Sequence, residues 1–500
     1  MEYYMGIDLG TSSVKVVLLD QNFKVVDSIS KKYDILYPES GWAEQNPEDW
    51  LEQIYSCLQE MIATHILYNK QFYIGVTGQM HGVVPLNKEG EVIYPCIIWA
   101  DRRTENEIKI MKNKLNSKHL SRLSNPVVNG FSAPKIMWLR QHRDQLKDNL
   151  NQVLMPKDYV IYSLTGKYVT DESEASGTLL FDVKNRRWDK EIMDILDIPA
   201  DILPEIKKPG TEIGYLSRSC KNKLNLNRDI PVIAAGGDAP LAAMANNITE
   251  PGKVGINLGT AGQILTSLNE YKVDPEFRLH TLCHGISGKW YIMGAIKAAG
   301  FCLQWWNDVI NKGQKSTIGE LIKNAYTESE PGARGIIFLP YLNNGERSPH
   351  MDSLAPGNLF GLQGEHHSPD ITRAILEGVA FAFRQNLEII KNLNIPVDKI
   401  VITGGGTKTP YWARIIASVL QQKVYLSNET RSSAFGAALS AASAVTGKEY
   451  PEIISSIESI ELQSYKPERS SKSIYDKSFD LYKESYYNNR KLFKELSKIR

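Results

Sequence analysis

Two stretches of the chain put glycine and hydroxyl side chains at the end of a β-prone run. Gly6-Ile7-Asp8-Leu9-Gly10-Thr11-Ser12-Ser13 lies near the start, and Gly255-Ile256-Asn257-Leu258-Gly259-Thr260-Ala261-Gly262 near the middle. A strand that closes on an acidic or amide residue and then Leu-Gly-Thr suits a tight hairpin. Glycine, lacking Cβ, lets backbone approach a ligand, and Thr or Ser adds a hydroxyl donor. A single Gly-Thr turn is commonplace. The matched pair predicts two similarly folded lobes whose turns face one cleft, and a nucleoside triphosphate fits such a cleft.

The elements needed to carry these turns can be read on either side of them. Met5–Asp8, Val14–Leu19 and Val25–Ser30 form aliphatic, β-branched runs, the last two separated by the turn Asp20-Gln21-Asn22. Asn46-Pro47-Glu48-Asp49 reads as a helix start, with an Asn cap, Pro at the first position and acids in the first turn. Ile54, Leu58 and Met61 continue it at helical spacing, and a strand at Tyr73–Thr77 follows. The second half repeats this order in outline, with strands at Val254–Leu258, Gln263–Ser267 and Trp290–Met293, helices at Phe301–Val309 and Ile371–Leu393, and a strand at Ile400–Thr403. Turn-rich residues from Ala245 to Gly252 mark the boundary. From Tyr475 on, Phe479, Tyr482, Tyr486 and Leu492 predict a helix packed by its aromatic stripe.

Five hundred residues exceed one ordinary core. A hydrophobic share of 42% and a net charge of +1 give no electrostatic case for nucleic acid or an anionic membrane as partner. No apolar run is long enough to span a bilayer, and Met1–Met5 lacks a signal-peptide layout. Cys57, Cys96, Cys220, Cys283 and Cys302 lack metal-ligand spacing and predict reduced, buried thiols in a cytoplasmic enzyme.

Further motifs complete a pattern. They are Gly78-Gln79-Met80-His81-Gly82, Trp99-Ala100-Asp101-Arg102-Arg103, Gly236-Gly237-Asp238, Tyr341–His350 and Gly404-Gly405-Gly406. In this order, with the two Leu-Gly-Thr turns, the chain resembles the FGGY family of sugar kinases over nearly its whole length. Gly-Gln-Met-His-Gly, Ala43-Glu44-Gln45-Asn46-Pro47 and Gly345-Glu346-Arg347-Ser348-Pro349-His350 are most similar to the xylulokinase branch. The resemblance implies an α/β fold of two actin-like, hexokinase-like (ribonuclease H-like) ATPase domains around a central cleft. Residues 1–248 would form the sugar-binding lobe with the first phosphate hairpin, and 249–500 the nucleotide-binding lobe. It also implies ATP and Mg²⁺, a small sugar as acceptor, and a possible homodimer.

Phosphoryl transfer depends on positioning and on neutralising charge. Asp8, at the first turn, is a sensible direct or water-mediated Mg²⁺ partner, because that ion takes few carboxylates and several waters. Thr11, Ser12, Ser13, Gly259 and Thr260 would hold phosphate oxygens. Gly404, Gly405 and Gly406 lie between a strand and a helix around Trp412–Leu420. Their similarity to the family's adenosine motif implies a flat surface for the nucleoside. An attacking sugar hydroxyl needs a carboxylate to take its proton. Asp238 follows the apolar strand Val232–Ala235 and two glycines and precedes a helix-like stretch; the family's base occupies this position. Capping of that helix is compatible with the same role.

Met80 and His81 match the pair that contacts sugar in the xylulokinase branch, with Gln79 supporting them. Trp99, Asp101 and Arg102 could stack on and hydrogen-bond a sugar, or form a structural ion pair within their loop. One departure stands out: Ala239 occupies the position where the branch carries an Asn that helps hold the sugar. The reading is therefore an ATP-dependent kinase of a small ketose, D-xylulose first, with ribulose, gluconate, glycerol, erythritol or another polyol as alternatives. An actin-like ATPase without a small-molecule acceptor and a non-catalytic sugar sensor are the rivals from other classes. Kinases of this two-lobed kind close over the sugar to exclude water, which predicts weak ATP hydrolysis without sugar.

Overall fold

The computed structural model describes residues 2–499 apart from 143, 312–316, 344, 428–430 and 458–461. The first half opens with a meander of β1 (Glu2–Leu9), β2 (Ser13–Leu19) and β3 (Val25–Lys32). Asp20 shapes the second turn, its Oδ1 accepting the N–H groups of Asn22 at 2.8 Å and Lys24 at 3.0 Å. Helix α1 (Pro47–Thr64) starts as expected, with the Asn46 side chain accepting from the Glu48 N–H, and β4 (Gln71–Gly78) pairs in parallel with β1. After α2 (Pro156–Thr165), the short α3 (Glu172–Ala175) and β5 (Thr211–Tyr215), β6 (Pro231–Gly237) runs into α4 (Asp238–Ala245). The sheet order is β5-β6-β4-β1-β2-β3.

The second half repeats the plan. Strands β7 (Gly252–Leu258), β8 (Gly262–Leu268), β9 (His280–Cys283) and β10 (Trp290–Ile296) lead to helices α5 (Gly300–Asn311) and α6 (Ser368–Asn392). Then come β11 (Val397–Thr403), α7 (Pro410–Leu420), β12 (Val424–Ser427), α8 (Ser433–Thr446), β13 (Leu462–Tyr465) and α9 (Lys472–Leu496). Their order is β9-β10-β8-β7-β11-β12-β13. In both sheets a hairpin strand pairs antiparallel with its successor and parallel with the strand after the helix, β1 with β2 and β4, β7 with β8 and β11. The duplication is thus one of topology as well as of turns. Each half has its own large apolar core.

Three features depart from the sequence reading or extend it. Strand β9, four residues long, is too short to carry a periodicity signal. On α9 the buried stripe is Tyr475, Phe479, Tyr482, Tyr486 and Phe493, whereas Leu492 is 53% exposed. A residue one position off the stripe turns about 100° away around a helix of 3.6 residues per turn. Helix α8 belongs in sequence to the second half, yet it packs on β1 and β4 of the first sheet and against α4.

That crossing explains two glycines inside strands. A Cβ on Gly6 would sit 1.8 Å from the Ala434 carbonyl oxygen, and one on Gly75 2.0 Å from that of Ala437. Backbone meets backbone there, and no rotamer can relieve the clash. Gly6→Ala is expected to destabilise the fold by roughly 3 kcal/mol, the upper range for overpacking, read as a lower urea midpoint at unchanged slope. An unchanged midpoint would mean that α8 is not wedged against the sheet.

Candidate active site

The first sheet delivers Asp8 at the end of β1, beside the turn at Gly10–Ser12. Its carboxylate is buried, and its Oδ2 accepts a hydrogen bond from the Ser433 hydroxyl at the start of α8. Its Oδ1 has no hydrogen-bond partner among the described residues. Burial pushes its pKa up, against the opposing pull of the Ser433 hydrogen bond and Lys15. A buried carboxylate oxygen left unpaired beside a glycine-rich turn suits one protein ligand of a hydrated Mg²⁺. Among the described residues no group of three or more His, Cys, Asp or Glu could hold a metal by itself. An ion bound by one carboxylate plus waters and phosphates needs no such group.

Asp238 is the first residue of α4, reached through the extended Gly237. Its Oδ1 accepts the Ala239 N–H at 2.7 Å. Burial first, and the negative charge of Asp8 second, raise its pKa to about 7. The two acids, one from each end of the first half, therefore feel one another across the same space. A carboxyl poised near neutrality is what a general base requires.

Met80 lies against this turn: a Cβ on Gly237 would fall 2.7 Å from its sulfur. From the second lobe, the buried Tyr291 hydroxyl points at the same sulfur at 3.8 Å. His81 adopts a left-handed φ of 72°. Its backbone N–H is held by Glu174 Oε1 at 3.2 Å, and its carbonyl by Lys135 Nζ at 2.7 Å. Nδ1 lies 2.7 Å from the Gly177 carbonyl. A carbonyl only accepts, so Nδ1 carries the proton and Nε2 presents a lone pair. Burial and the nearby Arg347 guanidinium depress the His81 pKa to about 3, which keeps the ring neutral.

The remaining expected residues fall into two groups. Gln79 is buried behind the pair, donating to Gln45 Oε1 at 2.7 Å, while Gln45 donates to the Thr11 carbonyl at 2.7 Å. The first glycine–threonine turn and the Met80–His81 loop are thereby linked. Trp99, 40% exposed, gives its indole N–H to the Thr11 hydroxyl at 2.9 Å. Asp101 is taken up by structure: it pairs with Arg103 at 2.7 Å and accepts the Ala43 N–H at 2.7 Å. Arg102 reaches the Asn343 carbonyl of the other half at 3.4 Å.

On the second sheet, Gly259 and Thr260 form the turn after β7, their carbonyls accepting from Gly300 at 2.9 Å and Ala299 at 2.9 Å. Gly404 has φ 94°, and a Cβ there would lie 2.5 Å from Asn257 Oδ1. The triple-glycine loop thus lies against the same turn, and Gly405 faces open space. Ser12 and Thr260 are exposed, and Thr11 and Ser13 are partly so. Sequence reasoning missed Ser433, Ser173, Glu174, Tyr291 and the placement of Arg347, which donates to the Asn129 carbonyl at 2.9 Å. Of these only Arg347 sat within a motif.

Two mirrored glycine–hydroxyl turns, a buried acid at one of them and a near-neutral carboxyl on a helix start are the parts that phosphoryl transfer calls for. The chain matches the N-terminal domain of the FGGY family of carbohydrate kinases over residues 3–245 and the C-terminal domain over 254–445, and it belongs to that family. It is therefore a carbohydrate kinase, with ATP as phosphoryl donor and a small sugar as acceptor. It is 33% identical to a xylulose kinase of Bacillus subtilis over 502 aligned residues, covering all of both chains. Among solved structures it resembles two from Lactobacillus acidophilus. The ligand-bound xylulose kinase is 26% identical at TM-score 0.92, covering 99% of this chain and 100% of that one. The gluconate kinase is 27% identical at TM-score 0.91, with full coverage of both. Among the described residues no helix is long and apolar enough to cross a membrane.

Proposed function

We propose that the chain transfers the γ-phosphate of ATP to D-xylulose, giving D-xylulose 5-phosphate. The observation that carries the reading is the placement of Asp238, a buried acid at the start of α4 whose Gly237 turn packs on Met80, beside His81. The full-length likeness to a xylulose kinase supports the acceptor. Residues 1–248 form the sugar lobe and 249–500 the nucleotide lobe, with α8 reaching back across them.

In this mechanism the sugar lies over Met80, with a hydroxyl donated to His81 Nε2. Asp238 accepts the proton of the attacking hydroxyl as its oxygen approaches phosphorus. The Thr11–Ser13 and Gly259–Thr260 turns hold phosphate oxygens in line with that attack, and the nucleoside lies on Gly404–Gly406. Asp8 would hold Mg²⁺, which when bound offsets phosphate charge. Asp101 fixes the loop through Arg103, leaving Trp99 and Arg102 to border the site.

Gluconate is the second reading. Ala239 brings no amide donor, and its methyl packs at the edge of the apolar cluster of Ile248, Leu265, Leu282, Tyr291, Met293 and Val401. Of the two Lactobacillus acidophilus structures, the gluconate kinase is as similar as the xylulose kinase. Phosphorus NMR of the products separates the two. A new ester signal with D-xylulose and none with D-gluconate is expected; the reverse would move the substrate and keep the mechanism.

The base assignment fixes a pH dependence. Asp238 works only as the carboxylate, so kcat/KM should fall about tenfold per pH unit below about pH 7, and level off above it. His81 is neutral throughout this range and adds no limb of its own. A kcat/KM profile flat down to pH 5 would contradict this.

A further inference from the structure

Between the two halves of the sugar site lies a segment that no part of the mechanism uses. Asp171 caps α3, its Oδ1 accepting the Ser173 N–H at 2.9 Å and the Glu174 N–H at 3.3 Å. The same oxygen takes the Ser173 hydroxyl proton at 2.5 Å. With its proton so committed, the hydroxyl oxygen turns its lone pairs outward and accepts the Gly237 N–H at 2.9 Å. Gly237 immediately precedes Asp238. One residue on, Glu174 Oε1 holds the His81 N–H, and Gly177 takes the His81 Nδ1 proton. The segment is anchored by Lys157, fully buried, whose ammonium lies 2.6 Å from Asp171 Oδ2 and pairs with Asp158. Ser176 Oγ accepts the Cys283 N–H of the second lobe at 3.0 Å.

Three residues of one short segment therefore grip the sugar loop and the base turn from behind. We propose that Ser173 is a positioning residue for phosphoryl transfer, and that Asp171–Gly177 is the frame setting Asp238 and His81 at a fixed separation. The inference rests on the kinase reading above. Ser173 touches neither substrate nor reacting atom and acts through the Gly237 amide. Without its hydroxyl that buried N–H has no acceptor, and the Gly236–Gly237 turn, whose Gly236 has φ 133°, is free to relax. A displacement of about 1 Å at a reacting group costs on the order of a hundredfold in rate. Glu174 serves His81 in the same way. Burial holds its carboxyl well above the ordinary carboxylate range, so glutamine is a close mimic.

The test compares Ser173→Ala, Glu174→Ala and Glu174→Gln with wild type in single-turnover phosphoryl transfer, in KM for sugar and ATP, and in melting temperature. Ser173→Ala is expected to slow transfer between tenfold and a hundredfold while both KM values stay within about threefold. Sugar-free ATP hydrolysis, which also needs a base at Asp238, falls by a similar factor. That arm is independent of which sugar is the substrate, so failure of the xylulose reading and failure of this inference are told apart. Glu174→Ala raises the sugar KM about tenfold, and Glu174→Gln restores it. Should Ser173→Ala not fold, Ser173→Cys supplies similar volume with a weaker acceptor and shows the same loss. Wild-type transfer rates in the folded Ser173 variants, or a loss explained by unfolded protein alone, would overturn the proposal.

Discussion

Replacing Asp238 by Asn is expected to lower kcat by about 10³-fold while sugar affinity stays within a small factor, because a positioned base contributes 10² to 10⁴. Asparagine has nearly the volume of aspartate, and its Oδ1 can still accept the Ala239 N–H now bonded at 2.7 Å. What it lacks is a lone pair basic enough to take the hydroxyl proton. The change should leave the fold intact and even steady it. Burial and the negative Asp8 both disfavour the charged form of Asp238, so a neutral amide removes an unfavourable term. The signature is a dead enzyme with unaltered sugar binding by calorimetry and an equal or higher melting temperature. Turnover within tenfold of wild type would remove Asp238 from the mechanism.

The second large effect concerns Asp8. Asp8→Ala should cut kcat/KM for ATP by about 10²-fold, a loss partly recovered by raising the Mg²⁺ concentration. Its buried Oδ1 has no hydrogen-bond partner among the described residues, which fits a cation ligand there. The substitution also strips the Ser433 hydroxyl of its acceptor, so α8 loses one tie to the first sheet. Sugar binding should be unchanged, since the Met80–His81 loop is held by Glu174, Gly177 and Lys135. The contrast with Asp238 is diagnostic: only the Asp8 variant should shift the Mg²⁺ response. An unshifted response would place the cation elsewhere.

The sequence made the paired turns, the strand–helix order and the helix-start acid readable, because these are local: a turn, a cap and an apolar run each carry their own signal. Asp8 and Asp238 could be picked out for that reason. Their mutual repulsion could not, since it arises only when β1 and the end of β6 are brought into one sheet with β4 between them. The Ser433 contact spans 425 residues and needs α8 to leave its own half, an event marked in the sequence only by Gly6 and Gly75. Ser173 and Glu174 sit in a stretch with no motif, and their roles are hydrogen bonds to distant backbone. Asp101 shows an ambiguity the sequence leaves open, between a sugar contact and a structural pair within its loop: the acid is held by Arg103. Leu492 and Phe493 show a smaller one, since a stripe read at aromatic positions is ambiguous by one residue where an aliphatic and an aromatic neighbour compete.

The most direct measurement of the central claim is ADP release by the purified protein with MgATP and a panel of sugars. The panel is D-xylulose, D-ribulose, D-gluconate, glycerol and erythritol. The account predicts slow release without sugar and strong stimulation by D-xylulose above every other member. No stimulation by any sugar would contradict it, and leave a cleft that binds ATP without an acceptor.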